Sequence, residues 1–130
     1  MASIFSKIVA GEIPCYKVAE TEDCLAFLDI SPITKGHVLC IPKKEVDYLF
    51  DLDDELYCKL QLFAKMVARG LKKTCPCVKV GVGVIGVDVP HAHIHLVPLQ
   101  NGSELNFKNH IEMSGDELKA LAEEIAANIE

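Results

Sequence analysis

The chain has 130 residues, 50% of them apolar and 25% charged, enough for one compact domain with one site. Thirteen Lys and Arg against 19 Asp and Glu give a formal net charge of −6, which lacks the basic footprint of a phosphate-backbone binder and argues against a nucleic acid polymer as partner, though not against one small phosphate. The longest apolar run, Val80 to Val87, has eight residues, three of them Gly, against the roughly 20 of a membrane helix, so no membrane association is expected.

Lys7 and Glu12 interrupt the first apolar stretch before it reaches the length of a secretory leader, and the expected location is cytoplasmic. Within that stretch Ile4, Phe5 and Ile8 recur at helical spacing and Gly11 supplies a stop, which predicts a short amphipathic helix. Three strands are predicted next, at Tyr16–Ala19, Cys24–Ile30 and His37–Ile41, separated by turn-like segments and arranged as an antiparallel meander. From Asp51 the period changes. Leu56, Leu60, Phe63, Val67 and Leu71 follow a helical stripe, with acidic residues at its start and Lys72-Lys73 at its end, both matched to the helix dipole. Strands at Val78–Val84 and Ala92–Val97 follow. Ser114-Gly115-Asp116-Glu117 has the form of a capping box and opens a last helix carrying Leu118, Leu121, Ala122 and Ile125 on one face. The expected class is α+β, an antiparallel sheet of about five strands with helices packed on one side.

Six cysteines (Cys15, Cys24, Cys40, Cys58, Cys75, Cys77) are scattered, form no C-x-x-C pair, and read as reduced thiols that pack as small hydrophobes. Gly81-Val82-Gly83-Val84-Ile85-Gly86 matches G-x-G-x-x-G but runs on toward another strand instead of opening a helix, so it is not a dinucleotide fingerprint.

The pattern richest in chemistry is His91-Ala92-His93-Ile94-His95, three of the chain's five histidines at strict alternation. Period two puts the three imidazoles on one face, about 6.6 Å apart along a strand. Such a row can ligate a metal, since neutral imidazole is a good zinc ligand. It can equally supply a nucleophile and an acid or base, since imidazole titrates near pH 6.5. Spacing alone leaves both open. Pro90 and Pro98 limit the ladder donors around the row and suggest strand ends at an edge or rim.

His91-x-His93-x-His95 followed by Leu96-Val97 resembles the H-φ-H-φ-H-φ-φ signature of the histidine triad (HIT) family. Other blocks agree with it. Ile4-Phe5, Lys7-Ile8-Val9 and Glu12-Ile13-Pro14 resemble the family's N-terminal segment, Leu25 to Pro32 its second block, and Gly36-His37-Val38-Leu39 with Ile41-Pro42-Lys43-Lys44 its third. The likeness spans about residues 3–98, in the order of the Hint-like branch, and leaves outside it a C-terminal extension with a helix at about 115–128. The resemblance implies a single HIT-like domain over residues 1–130, a homodimer whose sheet continues from one copy to the other, and hydrolysis of a nucleotide phosphoramidate or a related ester or anhydride, without a cofactor. It assigns His93 as the nucleophile that forms a nucleotidyl-histidine intermediate. His95 would contact the phosphoryl oxygens or assist the leaving group, and His91 and His37 would fix tautomer and orientation. A purine nucleotide would lie among Ile4, Phe5, Ile8, Ile13, Phe27, Ile30 and Leu39, with Asp29 accepting from the ribose hydroxyls and with Gly86 and Asp88 on the turn beside the phosphate.

Two departures qualify the resemblance. The family pattern N-x-G-x-x-x-G-Q before the triad has Val80, Val82 and Val87 in the places of Asn, the first Gly and Gln. Several bacterial relatives hold zinc through an N-terminal C-x-x-C and a His after the I-P-K-x block, where this chain has Ser3, Ser6 and Glu45, so no metal site is expected. Two other functions fit the residues: a nucleotide-binding adaptor with little turnover, suggested by Val80 and Val87, and a metal-dependent hydrolase that uses His91, His93 and His95 as ligands.

Overall fold

In a computed structural model, which describes residues 2–129, the elements run α1 (Ile4–Val9), β1 (Lys17–Glu20), β2 (Cys24–Leu28), β3 (Val38–Pro42), a 3-10 turn (Leu49–Asp51), α2 (Asp54–Thr74), β4 (Lys79–Gly83), β5 (Ile94–Leu99) and α3 (Gly115–Ala127). All five strands pair antiparallel in the order β1-β2-β3-β5-β4, so the last strand of the chain inserts beside the meander and β4 forms an outer edge.

Strand alternation divides the apolar residues between the two faces of the sheet. On one face Val18, Cys24, Ala26, Leu28, Val38, Cys40, Ile94 and Leu96 pack against α2 and α3. The stripe predicted for α2 supplies Leu60, Phe63, Val67 and Leu71, all buried. α3 contributes Leu118, Leu121, Ala122 and Ile125 and lies beside α2 over β1 and β2. On the opposite face Leu25, Phe27, Leu39 and Ile41 form a smaller cluster under Phe5, Ile8 and Val9 of α1. The two long helices thus share one side, and the short first helix covers part of the other.

Helix ends follow local chemistry. The Ser114 side chain accepts from the Glu117 amide while Glu117 returns a bond to the Ser114 amide, the expected capping box. α2 starts three residues later than its acidic run, because Asp53 accepts from the Leu56 amide and leaves residues 49–51 as a separate turn. β5 starts two residues after its expected beginning, leaving His91 and His93 just before it, and runs two residues past its expected end. Pro98 lies inside it, opposite Val80 of β4, and is tolerated because β3 pairs with β5 only through Ile94, His95 and Leu96. The glycine run forms β4 and a turn, with no helix after it. A Cβ at Gly81 would strike the Leu99 side chain, and Gly86 turns the chain with a φ of 70°.

Candidate active site

The three triad histidines lead into β5 and point to the α1 side of the sheet, while Ala92, Ile94 and Leu96 between them point to the helices. Phe5 meets the His93 ring edge-on at 5.0 Å between centroids and the His91 ring at 5.9 Å. The His93 and His95 rings lie 4.9 Å apart. His37, at the start of β3, is buried beside His95 and completes a group of four imidazoles.

Hydrogen bonds to groups with only one possible role set which tautomer each ring adopts when neutral. The Ile33 amide can only donate, so His37 Nδ1 accepts (3.1 Å) and its Nε2 carries the proton. That Nε2–H donates to His95 Nδ1 (2.9 Å), which leaves the proton of His95 on Nε2. His93 Nδ1–H donates to the His91 carbonyl (2.7 Å), so its Nε2 holds a free lone pair. His91 Nε2–H donates to the Pro42 carbonyl (2.8 Å), and its Nδ1 accepts from Ser3 Oγ (2.9 Å). Among the described residues every buried side-chain nitrogen and oxygen has a partner. The two nitrogens left over, Nε2 of His93 and Nε2 of His95, therefore reach the surface side by side, one a lone pair and the other a donor.

Burial lowers the His37 pKa to about 4 and the His95 pKa to about 3, and a neighbouring imidazole adds to each shift. His91 is lowered as well, again chiefly by burial. His37 and His95 are thus neutral at pH 7.

The Asp29 carboxylate ends β2 close to this group. One oxygen accepts from the Ser31 amide (2.8 Å) and the other lies 3.8 Å from His37 Nε2. Asp29, His37 and His95 bring ligand-type atoms within 4.8 Å of one another. They do not fit a metal ion, because the Ile33 amide keeps a proton on the very nitrogen of His37 that would coordinate. The triad does not fit one either, since both ring nitrogens of His91 are already engaged. At the third location, Ser3, Ser6, Glu45 and His91 do come together, but as mutual hydrogen-bond partners with one imidazole and no thiolate, a poor set for zinc.

Of the residues expected around a base, Phe5, Phe27 and Leu39 share the α1-side cluster and Ile8 packs on it. Ile13 is half-buried, and Ile4 and Ile30 are exposed. A concavity of about 760 Å³ touches only Ile30 among these residues, and its other walls are Ser31, His110 to Met113 and the start of α3. Gly86 and Asp88 stand on the turn between β4 and His91, with Asp88 exposed. The sequence did not reveal Phe107. It comes from the segment between β5 and α3 and lies 4.6 Å from the His95 ring and 6.3 Å from that of His37.

The chain matches the HIT domain model over residues 10–102. It is 39% identical to the adenosine 5'-monophosphoramidase hnt1 of Schizosaccharomyces pombe over 99% of both chains. A crystal structure of a Hit-like protein from Bartonella henselae superposes with a TM-score of 0.86 at 32% identity, covering 98% of this chain and 96% of the other. A zinc-bound histidine triad family protein from Mycobacterium smegmatis superposes with a TM-score of 0.83 at 28% identity, covering 98% and 93%. Four imidazoles gathered at and just before β3 and β5 agree with these matches: the chain belongs to the HIT family.

Proposed function

We propose that this chain hydrolyses a purine nucleotide phosphoramidate through a nucleotidyl intermediate on His93. The observation that carries the reading is the free Nε2 lone pair of a His93 ring whose Nδ1–H is held by the His91 carbonyl. A nucleophilic imidazole needs that division of roles between its two nitrogens. The name of the S. pombe relative supports adenosine monophosphate as the transferred group.

In the first step His93 Nε2 forms a bond to phosphorus and the P–N bond to the amine breaks, its electron pair leaving with the nitrogen. His95, neutral and with its proton on Nε2, donates to a phosphoryl oxygen as charge gathers there. It is a poor acid for the leaving amine, since loss of its only ring proton would leave a buried anion, so that proton comes from solvent. Water then attacks phosphorus and releases a proton to solvent, the P–Nε2 bond breaks with its electron pair returning to Nε2, and the nucleoside monophosphate departs while His93 recovers its lone pair. The Asp29 oxygens, at the end of β2, suit the two ribose hydroxyls.

The functional unit is a homodimer in which β4 meets its own copy. Unpaired along its outer side, β4 exposes Val82, with Val78 before it and Val84, Ile85 and Val87 after it, an apolar edge that a single chain leaves uncovered. All six cysteines are free, as suits a reducing cytoplasm, and no helix among the described residues is long and apolar enough to cross a membrane.

The test incubates the protein and a His93→Ala variant with adenosine 5'-phosphoramidate, follows nucleotide release, and traps labelled protein by rapid quench. Release should fall at least about a thousandfold in the variant, the order seen when a covalent nucleophile is removed. A chelator should leave the parent unaffected. A variant as active as the parent would overturn the assignment, and loss of activity with chelator would favour the metal-dependent alternative. Nucleotide binding without release would favour an adaptor.

A further inference from the structure

His91 stands at a junction of three chain segments. Its Nε2–H donates to the Pro42 carbonyl at the end of β3, and the next amide, that of Ala92, donates to the Val46 carbonyl (2.7 Å). Its Nδ1 accepts from Ser3, the N-cap of α1, whose hydroxyl also accepts from the Ser6 amide (3.0 Å). One carboxylate oxygen closes the circuit. Glu45 Oε1 accepts from the Ser3 amide at 2.6 Å and from the Ser6 hydroxyl at 2.7 Å. Those two bonds hold the Glu45 carboxyl ionised, with a pKa drawn down to about 2.

Besides the His95 ring beside it, the two contacts that fix the His93 ring pass through this circuit. The carbonyl that takes its Nδ1–H belongs to His91, and the Phe5 ring against its edge is carried by the helix that Ser3 starts. α1 has only six residues, too few to hold itself on the sheet, and its single fully buried side chain is Phe5. An exposed residue, Glu45, is therefore the tie between α1 and the β3 end of the site.

We infer that Glu45 is a positioning residue for the His93 reaction: by binding the Ser3 amide and the Ser6 hydroxyl it seats α1 and Phe5, keeps the Ser3 hydroxyl against His91 Nδ1, and so keeps the His93 lone pair aimed outward. This rests on the reading of His93 as nucleophile. Glu45→Gln keeps an acceptor oxygen at the same reach, whereas Glu45→Ala leaves the Ser3 amide and the Ser6 hydroxyl without that acceptor. Neither change touches the core, so both variants fold.

The experiment measures turnover of adenosine 5'-phosphoramidate together with ¹⁵N resonances of the histidine rings in the parent, Glu45→Ala, Glu45→Gln and Ser3→Ala. In the parent, the resonances should place a proton on Nε2 of His91 and on Nδ1 of His93. Glu45→Ala and Ser3→Ala should each lower kcat by about tenfold, below the hundredfold that a 1 Å displacement can cost, with averaged His91 and His93 nitrogen shifts. Glu45→Gln should return kcat to within about twofold of the parent. Parental kcat and unmoved ring shifts in Glu45→Ala would overturn the inference, as would a lower melting temperature with unmoved shifts, which is the mark of a scaffold residue. If the parent releases no nucleotide, the function proposed above fails, and the ring resonances still decide whether Glu45 orients His91 and His93.

Discussion

A buried imidazole that stays neutral loads the folded chain with a pH dependence. His37 and His95, held near 4 and 3, stay essentially unprotonated in the folded state between pH 6.5 and 5, whereas both take up a proton there once unfolded. The unfolded chain binds more protons in that window, so stability is complete above pH 6.5 and is lost as the pH falls toward 4 and then 3. From pH 7 to pH 5, where most carboxylates remain ionised in both states, the loss is on the order of 2 kcal/mol for each of the two rings. Urea midpoints at the two pH values check this, and equal midpoints would refute it. The triad was legible in the sequence because its spacing is itself the geometry. The partners that set the tautomers were less so: Ser3 lies 88 positions from His91, and Glu45 is 42 from Ser3. Only the resemblance drew attention to Ser3, Ser6 and Glu45, and then as places where zinc ligands were missing, not as a circuit of hydrogen bonds.

Among the elements, α3 shows most directly how local sequence becomes structure. Ser114→Ala removes the N-cap acceptor and half of the capping box, and the expected loss is about 1 kcal/mol, read as a lower urea midpoint with the slope unchanged. Nucleotide release should stay at the parental rate, since α3 lies on the helix side of the sheet, away from the imidazoles. The helices were readable because their apolar stripe and caps are short-range signals. Strand limits were less so, and β5 shows why. Its end at Leu99 is set by the register with β4, and Pro98 can sit within it only because β3 has already stopped pairing. Nor could periodicity place β5 between β3 and β4, since strand order depends on contacts far apart in the chain.

At the scale of the molecule the open edge of β4 sets the terms of assembly. Val82→Lys puts a charge in the middle of that edge, in keeping with the way natural sheets block edge pairing, and should convert a dimer to a monomer by sedimentation equilibrium. An unchanged mass would refute dimerisation through β4. On the same strand, Gly83 lies opposite His95 in the sheet register, and a Cβ there would come 3.1 Å from the Phe107 ring that rests on His95. In a saturation scan scored by activity, position 83 should therefore tolerate side chains less well than its neighbours Val82 and Val84. Its empty side-chain space is where the cover of the site is stored, and a map of sensitive positions drawn without the structure would credit a glycine with chemistry it does not perform.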